Sequence, residues 1–328
     1  MGFPVSKKFS FADLFTSMSL QALSGFKWPR NVVAIVGPTA SGKTSLAMEL
    51  ADGWQTEILS ADSRQCYKEM SIGTAVPETK DLARIRHLFI GQFSIHDQIH
   101  VARFESLAME WLLELWKTHS VAIVCGGTGL YLKAFLEGLD PVPSIASGVR
   151  ASIEGQYRQN GLSWLQQKLI QKDPLHNRNK DWSNPRRLIR ALEVLESTGQ
   201  PLRSFQQKKT SPRDFRTIKI GLTLPKAELM DRISRRTDHM LEAGWLEEAA
   251  RLLPFRHLPA LQTVGYQELF EVLDGTRSLE QAAALIKTRT WQYAKRQMTW
   301  FRKDPEIHWF HPSNRSGIRE TLNAFLEK

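Results

Sequence analysis

The stretch Val32-Val33-Ala34-Ile35-Val36-Gly37-Pro38-Thr39-Ala40-Ser41-Gly42-Lys43-Thr44 decides the fold. Five apolar, mostly β-branched residues closed by a glycine have the pattern of a strand buried on both faces of a parallel sheet. The eight residues Gly37 to Thr44 match G-x-x-x-x-G-K-S/T, and Ser45 to Asp52 continues as a helix. That order suits a phosphate loop. Glycines let backbone N–H groups turn inward on phosphate oxygens, and the helix start adds the positive end of its dipole. Lys43 brings a point charge, and the Thr44 hydroxyl is suited to hold Mg²⁺. Gly37, Pro38, Thr39, Ala40, Ser41, Gly42, Lys43 and Thr44 are therefore candidate diphosphate ligands, with Thr44 also the candidate metal ligand. The loop specifies a diphosphate or triphosphate but not a reaction.

Outward from the loop, further strands read at Glu57 to Ser60, Val121 to Cys125 and Thr217 to Leu222. Helical patterns cover Leu130 to Leu136, Ala227 to Leu253 and Leu279 to Arg302. Strands alternating with helices predict an α/β core, a P-loop NTPase-like parallel sheet flanked by helices. Ligands of such sheets bind beyond the carboxyl ends of the strands. Asp62 and Thr128 both fall just past strand ends, as the glycine loop does. Nucleotide-hydrolysing phosphate-loop proteins commonly hold their metal through an aspartate ending another strand. Here Val121 to Cys125 runs into Gly126-Gly127-Thr128 without an acid. Asp62 is then either the metal aspartate of a kinase or a general base, and the loop alone leaves both open.

Between Pro141 and Pro212 the strand patterns vanish, and helical spacings such as Trp164-Leu165-Leu169 and Leu188-Leu192-Leu195 replace them. Twelve Lys and Arg stand there against five acids, so this segment carries +7 of the chain's net +10. The expected organisation is an N-terminal extension over 1–30, a catalytic core from 31–140 and 213–328, and an all-helical, basic insertion over 141–212. Excess positive charge favours polyanions such as nucleic acid. The first thirty residues read as a disordered tail or an upstream start before Met18, with an organelle transit peptide as the alternative.

Other classes are excluded or disfavoured. No apolar run reaches the length of a membrane span. Cys66 and Cys125 are distant in sequence and read as small buried hydrophobes in a reducing, cytoplasmic compartment. His87, His96 and His100 lack zinc-ligand spacing and read as satisfied or exposed histidines. In the stretch from Lys287 to Lys303 the aromatics Trp291, Tyr293, Trp300 and Phe301 alternate with basic residues, and core packing is expected for most of them.

With these motifs in place, the chain resembles the transfer RNA dimethylallyltransferase family over nearly everything from Val32 to Trp309. The resemblance is carried by the glycine loop, by Ser60-Ala61-Asp62-Ser63-Arg64-Gln65 with Tyr67, and by Ile72-Gly73-Thr74-Ala75. It continues through Gly126-Gly127-Thr128-Gly129-Leu130-Tyr131-Leu132-Lys133 and Arg187-Leu188-Ile189-Arg190-Ala191-Leu192-Glu193. Val264-Gly265-Tyr266 and Tyr293-Ala294-Lys295-Arg296-Gln297-Met298-Thr299-Trp300 complete it. A monomer is expected. The resemblance implies dimethylallyl diphosphate as donor, the adenosine 3′ of the anticodon as acceptor and Mg²⁺ as cofactor. It implies Asp62 as the base for the adenine N6 amine, Thr128 in the reaction channel and Arg236 on the diphosphate. Stretches matching RNA contacts are Asp62, Ser63, Arg64 and Gln65; Arg186, Arg187, Leu188, Ile189 and Arg190; Gln262, Thr263, Val264, Gly265, Tyr266 and Gln267; and Arg150. Four positions depart from the family's usual residues, Ser71, Val76, Ile90 and Arg103, and most of these changes remove an acid. The competing readings are prenyl transfer to a free adenine nucleotide, a small-molecule kinase that consumes ATP, and an RNA-binding relative without turnover.

Overall fold

Strands close to the loop and between the helices assemble into a sheet of six. The computed structural model describes residues 30–143, 145, 148–176, 182–206 and 213–327. The tail expected over 1–30 lies, all but Arg30, outside the described residues. The described residues form two units, one made of the chain through Leu136 and from Arg213 onward, the other of Glu137–Pro212.

In the first unit, β1 (Asn31–Val36) leads into α1 (Lys43–Trp54), and β2 (Ile58–Ser60) follows. Next come α2 (Thr79–Arg84), β3 (His87–Leu88), α3 (Val101–Leu115), β4 (Val121–Gly126) and α4 (Gly129–Glu137). The second unit contributes α5 (Val149–Lys172), α6 (Pro185–Thr198) and the short α7 (Leu202–Phe205). The chain then returns through β5 (Arg216–Leu222), α8 (Lys226–Glu242), α9 (Trp245–Leu252), α10 (Tyr266–Leu273) and α11 (Leu279–Phe301). It closes with β6 (Ile307–Phe310) and α12 (Arg315–Leu326).

All six strands are parallel, in the order β3-β2-β4-β1-β5-β6. Because β4 lies between β1 and β2, the connection from β1 to β2 crosses over it, and the loops after these three strands share one edge. This is the position where open α/β sheets bind ligands. Along β1 the side chains alternate faces with period two. Val32, Ala34 and Val36 join the core made with α3 and the helices α9 to α11, while Val33 and Ile35 join the core made with α1 and α12. That explains why the strand is apolar throughout.

Two expectations change. The single helix expected over Ala227 to Leu253 is two, α8 and α9, broken at Gly244, whose φ of 96° leaves the right-handed helical region. β3 and β6 were not legible as strands. At two and four residues they are too short to show a period, and pairing with β2 and β5 is what defines them.

The second unit has its own core. Ile153, Leu165 and Leu169 of α5 pack with Leu188, Ile189, Leu192 and Leu195 of α6. Asn184 caps α6 by accepting from the Arg187 N–H, Pro185 opens it, and Gly199 ends it in the left-handed region. The helix thus has both of its expected termini.

Candidate active site

Three strand ends build the site. After β1, Gly37 has φ 139°, and a side chain there would meet the Leu222 carbonyl oxygen at 2.5 Å, so only glycine lets the loop start this close to β5. Lys43 folds back to donate from Nζ to the Pro38 carbonyl at 2.7 Å. Burial lowers its pKa to about 8, and the nearby Arg236 guanidinium adds to that shift. Such an ammonium is costly to hold charged until an anion arrives. Arg236, on α8, reaches the loop from the other side, with Nη1 3.4 Å from Thr39 Oγ1 and Nη2 3.3 Å from the Thr74 carbonyl. Its pKa is lowered by burial, with the Asp62 charge opposing.

After β2, the Asp62 Oδ1 accepts from the N–H groups of Arg64 at 2.8 Å and Gln65 at 3.3 Å. This turn holds the carboxylate through one oxygen at the strand's end. After β4, the Thr128 N–H donates to the Ala61 carbonyl at 3.2 Å, and the Thr128 hydroxyl accepts from the Ser63 N–H at 3.1 Å. Asp62 and Thr128 are therefore parts of one hydrogen-bonded pair of loops. Tyr293 of α11 stands beside them. Burial and the Asp62 charge push its hydroxyl up to about 12, and a hydrogen bond with Thr128 opposes that shift. The phenol keeps its proton at neutral pH.

Two adjoining cavities share Thr39, Asp62 and Arg236. The smaller, about 50 Å³, lies among Lys43, Thr44, Ser60, Cys125, Gly126 and Gly127. The larger, about 240 Å³, is lined by Arg64, Thr74 and Tyr293 and by the apolar side chains of Ile233, Met240, Trp245, Val264 and Ile286.

Three residues that received no role from the sequence hold these parts together. Gln297 of α11 is 6% exposed. Its Oε1 accepts from the Thr39 N–H at 2.8 Å, and its Nε2 donates to the Gly127 carbonyl at 2.9 Å, which ties the phosphate loop to the β4 turn. Glu248 of α9 is buried and accepts from the N–H groups of Ile72 and Gly73, each at 2.9 Å, and from the Tyr266 hydroxyl at 2.6 Å. Glu268 of α10 accepts from the Gly265 N–H and from Arg289. Gln297 lay within a quoted motif, but nothing in its spacing announced partners 258 and 170 positions away.

A family model described as IPP transferase matches residues 65–304. The chain belongs to the IPP transferase family. It is 48% identical to a tRNA dimethylallyltransferase of Christiangramia forsetii over 279 residues, covering 85% of this chain and 92% of that one. A tRNA dimethylallyltransferase of Cytophaga hutchinsonii is 44% identical over 297 residues, 90% of this chain and 98% of the relative. Among solved structures, the full-length tRNA isopentenylpyrophosphate transferase of Bacillus halodurans superposes with a TM-score of 0.67 at 33% identity, over 91% of this chain and 97% of that one.

For this IPP transferase the remaining expectations divide by burial. Ser63 and Arg64 line the larger cavity, as do Thr263 and Val264. The Gln65 amide is fully engaged, accepting from Ser60 Oγ at 3.1 Å and donating to the carbonyls of Thr74 and Ala75 at 3.2 Å each. It shapes the wall. Gln262 is exposed and bonds to the Arg256 carbonyl and to Gln267. Tyr266 is fully buried against Glu248, and Gly265 is buried beside Trp245, so neither side of that pair reaches the surface. In the second unit, Arg186 and Arg187 are exposed, while Leu188 and Ile189 are core. Burying an aliphatic side chain is worth roughly 1.5–3 kcal/mol, so these two side chains stabilise the unit. Arg150 and Arg190 both pair with the buried Glu193.

The aromatic stretch also divides. Phe301 is core and Trp291 packs beside Leu229 and Ile233, but Tyr293 and Trp300 remain 37% and 42% exposed. Ser71 donates to Glu248, Ile90 lines the smaller cavity, and Arg103 lies over the Phe93 ring, while nothing in the structure explains Val76. Both cysteines are free and buried. Among the described residues no cluster of three metal-ligating side chains occurs, and no helix is long and apolar enough to cross a membrane. His100 caps α3 and His96 packs edge-on to Phe255, whereas His87 is only half satisfied.

Proposed function

We propose that this IPP transferase moves a dimethylallyl group from dimethylallyl diphosphate to N6 of the adenosine 3′ of the anticodon in transfer RNA. The observation that carries the reading is the pair of joined cavities. One is lined by the cations Lys43 and Arg236 and by Thr44, as a diphosphate requires. The other shares Asp62 with it and has apolar lining that suits a five-carbon chain. The curated relatives named above are transferases of this group to transfer RNA, and the second unit's net positive charge agrees with an RNA acceptor.

In the reaction the allylic carbon–oxygen bond breaks, the N6–carbon bond forms, the N6 proton passes to Asp62 and diphosphate departs. Negative charge grows on the leaving group. Lys43 and Arg236 line the cavity where that charge would grow, and preorganised cations of this kind usually supply the largest share of rate enhancement. The exocyclic amine is a weak nucleophile, so a carboxylate within reach of its proton adds a further factor. Tyr293 and Thr128 flank Asp62 and would orient the adenine edge, once that base has left its stack.

The donor set suits Mg²⁺ held mainly by the substrate's own phosphate oxygens. Thr44 offers a hydroxyl, and Asp62 is the one carboxylate lining the smaller cavity among the described residues. Magnesium commonly binds with few protein ligands and several waters. Bound there, it would neutralise charge on the departing diphosphate.

Incubation of the purified protein with labelled dimethylallyl diphosphate, Mg²⁺ and either unmodified transfer RNA or AMP tests the reading. Label is expected in transfer RNA. Transfer to AMP alone, or consumption of ATP without any prenyl transfer, overturns it.

A further inference from the structure

β3 sets His87 at one end of the phosphate cavity. His87 pairs in register with Ile58 of β2, and both line the smaller cavity with Thr44 and Ala47 of α1. His87 is only 9% exposed. Its Nδ1 lies 2.8 Å from the Ile85 carbonyl oxygen, which can only accept, so Nδ1 carries the proton. In the neutral ring Nε2 then presents a lone pair. That Nε2 is buried and has no hydrogen-bond partner among the described residues. Most buried polar atoms are paired, and one without a partner on a residue that lines a cavity calls for an explanation such as a ligand or a water.

Of the neighbouring groups Ser60 and Gln65 are already engaged, and Asp62 through one of its two oxygens. Ser60 Oγ donates to Gln65 Oε1, and Gln65 Nε2 donates to the Thr74 and Ala75 carbonyls. Asp62 Oδ1 accepts from two backbone N–H groups. Lys43 and Arg236 carry positive charge and suit phosphate oxygens, not water protons. A magnesium ion bound through phosphates keeps several waters, and each water brings two protons that need acceptors. The cavity, at about 50 Å³, exceeds the roughly 10–15 Å³ that one water requires.

We propose that His87 Nε2 accepts a hydrogen bond from a water on the magnesium of the bound diphosphate, and so positions the metal at Thr44. His87 is a positioning residue here, held in one tautomer by Ile85. The inference rests on the reading that this cavity takes a magnesium diphosphate.

Calorimetry with inorganic pyrophosphate, with and without Mg²⁺, tests it on wild type, His87→Leu and His87→Gln. Leucine fills the space without an acceptor, and glutamine can restore an oxygen near the Nε2 position. Loss of such a partner typically costs about 10- to 100-fold in metal-dependent affinity. The expected result is a loss of that size in His87→Leu for magnesium pyrophosphate, unchanged binding of metal-free pyrophosphate, and substantial recovery in His87→Gln. Equal losses with and without magnesium, or no loss at all, overturn the proposal while leaving the diphosphate reading intact. Failure of the wild type to bind pyrophosphate overturns both.

A measurement on the wild type covers the case of a leucine variant that does not fold. With ¹⁵N-labelled histidine, the His87 Nε2 resonance should begin in the lone-pair range and move upfield when magnesium and pyrophosphate are added together. It should stay put with pyrophosphate and a chelator. A resonance unmoved by the magnesium complex rejects the proposal.

Discussion

The basic residues of the phosphate cavity and those of the second unit differ in their partners. In the second unit, Arg150 and Arg190 pair with Glu193, Lys172 with Glu196, and Arg203 with Asp173. Those pairs brace α5, α6 and α7, and only part of the unit's positive charge remains for a polyanion. In the cavity, Lys43 and Arg236 donate to neutral oxygens, those of Pro38, Thr39 and Thr74. Burial lowers the pKa of both. A buried cation bonded to neutral oxygens gains most when an anion arrives, whereas an exposed, paired cation gains little. On the proposed function, the cavity would carry binding and chemistry, and the surface charge orientation and encounter.

Removing the base should have the largest effect. Asp62→Asn is expected to reduce prenyl transfer by about 10²- to 10⁴-fold while transfer RNA retention in a filter assay stays near wild type. Retained turnover would remove Asp62 from the reaction. Lys43→Ala should follow, lowering kcat by on the order of 10²- to 10³-fold, the usual size for one donor to developing charge.

The depressed pKa of Lys43 adds a pH signature. Lys43 is protonated below about 8 in the free protein, so kcat/KM for the donor should fall as pH rises through about 8. Lys43→Arg, which stays charged, should lack that limb; its persistence in the variant would assign it to another group.

Gln297→Ala comes next. It strands the Thr39 N–H and the Gly127 carbonyl in a buried place, at roughly 1–3 kcal/mol for each unsatisfied group. A clear fall in Tm is expected, and an unchanged Tm would show that the bridge is dispensable. The smallest effect belongs to the second unit. Arg187→Glu should weaken transfer RNA binding modestly and reduce the salt slope of log K by about one, with no change in donor affinity. A change in donor affinity instead would break the contrast between the two regions.

Reading success followed the range of the interactions. The loop from Gly37 to Thr44, the strands around it and the helices of the second unit were legible because each is written in consecutive or periodic residues. Leu188 and Ile189 show the limit of a matched motif. The family stretch includes them, but their own spacing with Leu192 and Leu195 puts them in the core. Tyr266 is a similar case, matched as part of an RNA-contacting run yet buried on Glu248. Tyr293 and Trp300 fail in the other direction. Their helical spacing looks like core, but the helix leaves both partly exposed.

By itself the sequence determined the phosphate loop, the parallel α/β class, the α5 and α6 helices and the net positive charge of 141–212, and Asp62 and Thr128 as residues just beyond strand ends. These follow from local patterns, since period, glycine placement and charge act between near neighbours in the chain. Only the tertiary structure decided the strand order, the joining of two cavities at Thr39, Asp62 and Arg236, the Gln297 bridge and the unpaired Nε2 of His87. These depend on which distant segments the sheet brings side by side, and no short-range pattern encodes that choice.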